Sequence, residues 1–511
     1  MKIALRSYLQ RGEEVRDDPT EEPGGAVDEL AADLAARFRN DSNLIFTNSR
    51  GLSETLADKL TNISKVEKWP RNPFRIHHGS ISREIREEVE SELKEAGKRG
   101  LPVTAFCTST LEMGIDIGAA KAIGQIGPPW SVNSLVQRVG RSGRQEGQCS
   151  ILRGYALDDQ PVPNGEIEKR FFPNLLRFCA IIELTIEGWL EPLDEDDWHL
   201  STCIHQVLSI LRQTGGTTVA VLHRQLCESG PFRAIKIPEF LRVLRSLGKL
   251  QLIQQMNEGT LILAPDGEKV VEAKEFYAAF QGTEEYSVRC GEDEIGSLPA
   301  NVVPPVGQHL VLSGRRWRVL DIDSEQNSVF VEHSQGYTKP AFMGSGGFIH
   351  NRIAEKMGEI LAVAPPMQYL HPDGRKRIES AREEFHRLEL NERNFVVSQN
   401  GIQWFPWIGT RALLTLVTSA KVAGIEVDSG QFHLTFPSVR ESDSLFDLLR
   451  GLVEGSFDSV ELATHLPVKH FHKFDEWVEP DLLDKVNSER VLDIKAAADA
   501  ASTLLGQSSI G

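Results

Sequence analysis

The sequence predicts an α/β protein: a parallel sheet with flanking helices, then a winged helix, a small antiparallel β region and a C-terminal α+β region. Three observations predict it. Short apolar strands alternate with amphipathic helices over the first 160 or so residues, which is the pattern of βαβ units. Three helical stretches and a hairpin signal follow between residues 203 and 272. From residue 284 the patterning changes to period two, with glycine-containing turns between the runs.

The composition sets bounds. At roughly 100–200 residues per domain, 511 residues suggest several domains. With 40% hydrophobic and 25% charged residues, a collagen, a disordered tail or a disulfide scaffold is excluded. No apolar run approaches the ~18 residues of a membrane span, and the N-terminus turns polar too early for a signal peptide. Cys107, Cys149, Cys179, Cys203, Cys227 and Cys290 contain no CxxC pair, which fits a reduced cytoplasmic protein without structural zinc. The net charge of −17, taken alone, argues against nonspecific nucleic-acid binding.

The elements run in order. Residues 1–40 read as an N-terminal segment and linker, with an acidic, Pro- and Gly-rich stretch at 11–30 and a helix at 27–39. Residues 41–160 form the α/β region, with strands at 44–50 and 103–109 and a charged amphipathic helix at 81–97. Residues 161–200 are a connecting helix and an acidic joint. In the winged helix, 201–275, helices at 203–213, 218–228 and 237–248 precede a hairpin turning at Asn257-Glu258-Gly259. Residues 276–365 are a small barrel-like β domain. The last region, 366–511, opens with a helix at 375–388 and a hairpin turning at Asn400-Gly401.

The chemistry concentrates in residues 104–144, in TSTLEMGIDIG (108–118) and LVQRVGRSGR (135–144). Gln137, Arg141 and Arg144 fall on one face of a helix or helical turn, with Arg138 beside Gln137. Guanidiniums on one face repel one another unless an anion neutralises them, and a polyphosphate matches their fork geometry. A solvated arginine face or a buried Arg–carboxylate network is the alternative reading of such a run.

These blocks, with LIFTNSR (44–50) and HHGSISREIREEVE (77–90), resemble motifs IV, IVa, V and VI of superfamily 2 helicases of the DEAD/DEAH type, and most closely the Lhr group. The resemblance implies that residues 41–160 are a RecA-like helicase C-terminal lobe. It implies that Arg141 and Arg144 are arginine fingers on the γ-phosphate, with Gln137 beside them. Gly114, Asp116 and Arg138 would complete the nucleotide contacts, Asp116 on the ribose. Ser49, Arg50, Gly79, Ser80, Thr108, Ser109 and Thr110 would hold the backbone of the tracked strand. The implied ligands are ATP with Mg2+ and DNA, single-stranded or duplex, or an RNA–DNA hybrid, with 3′-to-5′ movement.

A superfamily 2 motor also needs a first lobe with G-x-x-x-x-G-K-[ST] and a magnesium-binding Asp-Glu pair. Gly97-Lys98 and Gly248-Lys249 lack the remainder of that loop. Asp194-Glu195-Asp196-Asp197 copies the acidic box literally, but no buried strand precedes it. Two readings therefore stand: a split helicase whose partner chain carries the first lobe, or a non-catalytic nucleic-acid adaptor that keeps the lobe as scaffold. No metal site is expected in this chain, and no membrane contact.

Beyond the lobe, residues 203–270 hold eight Lys/Arg against five Asp/Glu, and Arg242, Arg245 and Lys249 make a basic stripe on the third helix. That stripe is a nucleic-acid contact or a solvated face. In GRRWRV (314–319), Trp317 is a base-stacking residue or, by preference, a core one, and Trp404 and Trp407 pose the same choice. Residues 441–511 carry six Lys/Arg and fourteen Asp/Glu and read as a protein-docking face.

Overall fold

Six parallel strands build the first sheet in the order β1-β6-β5-β2-β4-β3. The strands are β1 Lys2–Gln10, β2 Asn43–Thr47, β3 Phe74–His77, β4 Thr104–Cys107, β5 Ile123–Ile126 and β6 Ile151–Asp159. Helices α1 Ala26–Phe38, α2 Arg50–Val66, α3 Arg83–Arg99, α4 Val132–Val139 and α5 Pro173–Glu187 alternate with or follow them. Every residue of β2, β4 and β5 is buried, as a parallel sheet covered on both faces requires. The computed structural model describes residues 1–10, 25–99, 101–112, 120–144, 147–162, 165–193, 198–278, 285–291, 293–299, 303–313, 315–323, 326–334, 347–363, 365–398, 401–437 and 442–507. The chain divides into two units, Met1–Glu191 with Glu284–Val396, and Pro192–Thr283 with Val397–Gly511.

In the first unit, the sheet begins earlier than the sequence reading places it. Lys2–Gln10, assigned to an N-terminal segment, is an edge strand paired with β6 from Lys2↔Ile151 to Gln10↔Asp159. Its outer edge is also occupied: Leu5 N donates to Tyr369 O at 2.8 Å, and His371 N donates to Leu5 O at 2.9 Å. An edge strand's open N–H and C=O groups need such cover. Residues 366–396, expected with the C-terminal region, therefore belong to the first unit, where helix Pro372–Arg387 follows that contact. Residues 285–333 form a five-stranded sheet, and it is mixed: Ser287–Arg289 pair in parallel with Ser328–Phe330, while the other pairings are antiparallel. Trp317 is a core residue, 3% exposed, and its Nε1 donates to Leu312 O at 2.9 Å.

In the second unit, helices Leu200–Thr214, Val219–His223 and Ile237–Lys249 and the hairpin Ile253–Gln255/Thr260–Leu263 follow winged-helix order. Thr217–Thr218 adds the third strand. Leu482, Leu483 and Val486, from helix Pro480–Arg490, share the core of this module with Phe240 and Leu208. Gly401–Trp404 pairs antiparallel with Leu434–Phe436, and Trp404 is fully buried. Gly401 is required there: its φ is +109°, and a Cβ would lie 1.9 Å from Phe436 O. Asn400 and the acidic run 194–197 lie outside the described residues. No helix among the described residues is long and apolar enough to cross a membrane.

His77, at the end of β3, ties two segments of the lobe. Its Nδ1 is 2.9 Å from Thr110 Oγ1 and its Nε2 is 3.0 Å from Glu90 Oε1. Burial holds its pKa below the ordinary value of 6.5, although Glu90 works in the opposite direction. A histidine with a depressed folded-state pKa stabilises the fold above the unfolded pKa, and that contribution is lost as pH falls through the folded value. The stability gap between wild type and His77→Gln, measured by urea unfolding, should therefore be larger at pH 7.5 than at pH 5.5. Trp317→Ala should cost about 3–5 kcal/mol in the same assay, since it empties a buried site of the second sheet.

Candidate nucleotide and nucleic-acid interface

The motif residues sit after the carboxyl ends of parallel strands, where open α/β sheets bind ligands. After β2, Ser49 caps α2, its Oγ accepting from Leu52 N at 3.3 Å. Arg50 Nη1 donates to Ser80 Oγ at 2.6 Å, which joins the loop after β2 to the loop after β3. Gly79 is exposed beside the buried Ser80. After β4, Ser109–Leu111 form a single 3-10 turn, with Ser109 exposed and Thr108 and Thr110 half-buried. Thr110 Oγ1 also donates to His77 O at 2.9 Å. The Arg50–Ser80 and Thr110–His77 contacts thus join three strand ends, where Gly79 and Ser109 are exposed.

The arginine-rich segment separates into three environments. Helix α4 stops at Val139, so Arg141 and Arg144 lie on the turn that follows it. Gly143 makes that turn, with φ +67°; a Cβ there would lie 2.5 Å from Ser150 N. Arg138 is 5% exposed. Its Nε and Nη2 donate to Glu112 Oε2 at 3.0 and 2.9 Å, and its Nη1 donates to Gln125 Oε1 at 2.7 Å. Its guanidinium also lies 5.0 Å from the Phe46 ring centroid. The expectation that Arg138 reaches a nucleotide meets this buried network, the alternative open for the arginine run; the guanidinium is fully engaged inside the lobe.

Arg141 is half-buried. Its Nε and Nη2 donate to the Glu112 carbonyl at 3.0 and 2.6 Å. Arg144 is exposed and its Nε donates to Gly140 O, at 3.1 Å, on its own turn. Gln137 is exposed as well. Glu112 and Gln125 were not singled out from the sequence. A lone glutamine in the apolar strand Ile123–Ile126 was the available signal, because a buried amide needs a partner. Gly114 and Asp116 lie outside the described residues.

The basic stripe of the winged helix is largely neutralised. Arg242 Nε and Nη2 donate to Glu479 Oε2 at 3.0 and 2.9 Å, and Lys249 Nζ donates to Glu479 Oε1 at 3.0 Å. Asp481 adds a second carboxylate to Arg242, at 2.5 Å. Arg242 is held above its ordinary pKa by Glu479 first and Asp481 second. At Arg242 and Lys249, expected as nucleic-acid contacts, an acidic segment some 230 residues later in the chain folds onto the stripe. Arg245 remains exposed. Among the described residues, no group of three or more His, Cys, Asp or Glu side chains is placed to hold a metal ion.

Comparison with known proteins places this geometry. Residues 26–146 match the helicase conserved C-terminal domain. The chain is 25% identical over 381 residues to the Lhr helicase/uracil glycosylase of Escherichia coli, a match covering 63% of this chain and 23% of that protein. It is 26% identical over 319 residues to the ATP-dependent helicase Lhr-Core of Methanothermobacter thermautotrophicus, covering 60% and 34%. The chain therefore spans about a third or less of the length of these relatives. In fold, it is similar to the Mycobacterium smegmatis helicase Lhr, solved bound to ssDNA and AMP-PNP. That likeness has a TM-score of 0.58 at 19% identity, and covers 99% of this chain and 68% of that one. Residues 26–146 thus carry a helicase conserved C-terminal domain, and the chain is similar in sequence to Lhr helicases and in fold to a solved Lhr.

Proposed function

We propose that this chain is the second-lobe subunit of a split Lhr-like ATP-dependent helicase or translocase of the cytoplasm. A partner chain supplies the phosphate loop and the acidic pair, and Mg2+ arrives with the ATP held there. The observation that carries this reading is the division of labour in residues 137–144. Gln137 and Arg144 are exposed and Arg141 is half-buried, while Arg138 between them is locked beneath. Cations presented together on a turn suit a polyphosphate. On lobe closure Arg141 and Arg144 would reach the γ-phosphate and stabilise charge developing in phosphoryl transfer. Gln137 would contact phosphate or the attacking water. Asp116 and Gly114 would seat the nucleoside.

Nucleic acid would lie across the strand ends. Ser49, Arg50, Gly79, Thr108, Ser109 and Thr110 would hold its backbone, because hydroxyls, backbone amides and a guanidinium grip phosphates without reading sequence, and the buried Ser80 would act by holding Arg50. Arg245 would add an outer contact. The solved Lhr described with ssDNA and AMP-PNP supports this choice of ligands. The cycle would close the lobes on ATP and open them after hydrolysis, stepping along one strand in the 3′-to-5′ direction.

The test is reconstitution. The purified chain alone should hydrolyse no ATP, and mixing it with a first-lobe chain should restore DNA-stimulated hydrolysis. Arg144→Ala in the mixture should lower kcat by about a thousandfold or more, the scale of an arginine finger. Robust hydrolysis by the lone chain would sink the split-motor reading. Unchanged function in both Arg141→Ala and Arg144→Ala would favour the non-catalytic adaptor instead. Arg138→Met should behave differently from Arg144→Ala. It strands the largely shielded Glu112 carboxylate, so it should destabilise the lobe by about 3 kcal/mol in thermal or urea unfolding, whereas Arg144→Ala should melt as wild type does.

A further inference from the structure

We propose that the sheet of residues 285–333 braces the Gly79–Ser80 loop and, through it, Arg50, so that a module outside the motor motifs sets the grip on the nucleic-acid backbone. This rests on the backbone-binding role proposed above for those residues.

The contact is built like a continuation of the sheet. Ser297 N donates to Ser80 O at 2.6 Å, and Ser82 N donates to Ile295 O at 3.3 Å. Between them, Ile81 and Gly296 form an antiparallel bridge. The approach is so close that a Cβ on Gly296 would lie 2.3 Å from Ser80 O. Ser80 is fully buried, and its hydroxyl accepts from Arg50 Nη1. A displacement of the Ser80 backbone is therefore passed directly to the Arg50 guanidinium.

Two buried carboxylates on α2 hold the sheet in that position. Glu54, fully buried, accepts from Ser313 N at 2.8 Å, and its Oε1 also lies 2.9 Å from His78 Nε2. One turn later, Asp58 Oδ2 accepts from Arg316 Nε and Nη2 at 3.0 and 2.7 Å. The side chains of this pair are 8% and 13% exposed, so the fork is shielded from water and from salt. Arg316 neighbours Trp317, and its alternation out of the sheet core is what sends it to α2. The helix that starts at Arg50, the loop that carries Ser80 and the second sheet thus form one jointed unit.

The experiment is a double-mutant cycle on the full chain, read by anisotropy of a fluorescein-labelled oligodeoxythymidine at low salt. Arg50→Ala should weaken binding about tenfold, as loss of one charged hydrogen bond to phosphate does. Gly296→Ala should weaken it several-fold, and the double variant should bind no worse than Arg50→Ala alone, because both act through one contact. Arg316→Lys, which keeps the charge and loses the fork, should show the same non-additivity and covers the case that Gly296→Ala fails to fold. Additive losses, or wild-type binding by both Gly296→Ala and Arg316→Lys, would overturn the brace while leaving the backbone-binding role standing. No binding by wild type, or no effect of Arg50→Ala, would overturn that role itself and the brace with it.

Discussion

Glu112 offers two acceptors in opposite directions, and the arginine-rich turn is built on both. Its carboxylate takes the Arg138 fork and the Ser134 hydroxyl, the latter at 2.8 Å. Its carbonyl takes the Arg141 fork. Its own N–H closes the 3-10 turn by donating to Ser109 O at 3.1 Å. One residue therefore locks α4 to the turn that follows β4. Without it, the buried Arg138 would lose its counter-charge in a site where an unpaired guanidinium is costly. Gln125 completes that site from β5 and is itself satisfied by donating to Gly127 O at 2.9 Å. The spacing between the TST turn and the arginines is thus set by a closed polar network rather than by loop length.

How much of this was legible depended on range. The α/β alternation, the winged-helix order and the residues at the strand ends are local patterns, and the sequence carried them. Within the arginine run it was less specific. The stagger of Gln137, Arg141 and Arg144 presumes helical periodicity, but α4 ends at Val139, and Gly143 with positive φ makes the rest a turn. Which arginine is buried depends on Glu112 and Gln125, and a one-dimensional pattern does not state that they converge. Lys2–Gln10 was missed for a related reason: a strand partnered by residues about 149 positions later has no local signal beyond its alternation. Arg316 has the same character, since its partner Asp58 lies 258 residues away.

The net charge of −17 takes on a more specific meaning. Residues 441–511 hold fourteen of the acidic side chains, and two of these, Glu479 and Asp481, lie against Arg242 and Lys249 of the winged helix. Part of the acidity read as a docking face is an internal counter-charge. These pairs are partly exposed, so they contribute little to stability and weaken with salt. Their effect falls on recognition. A basic stripe whose cations are already paired attracts a phosphate backbone less strongly, and under the proposed function that leaves the strand ends of the lobe as the main contact.

Under the proposed function, the environments of the three arginines decide which can take part in hydrolysis. Arg138 faces a carboxylate inside the lobe; extracting it would leave two buried charges uncompensated. Arg141 donates to the Glu112 carbonyl, which carries no net charge, and a phosphate oxygen would form a stronger hydrogen bond than that carbonyl does. Arg144 is exposed, its Nε donating to Gly140 O on its own turn, and would need little rearrangement. By exposure, Arg144 is the most accessible of the three, Arg141 is half-buried and Arg138 is fixed inside the lobe. Under that proposal the turn keeps Arg138 as its foundation and presents the exposed Arg144 and the half-buried Arg141 toward the nucleotide. Because the carbonyl that Arg141 donates to belongs to Glu112, directly after the Ser109–Leu111 turn, any shift of that turn against a bound strand reaches Arg141 through a single residue.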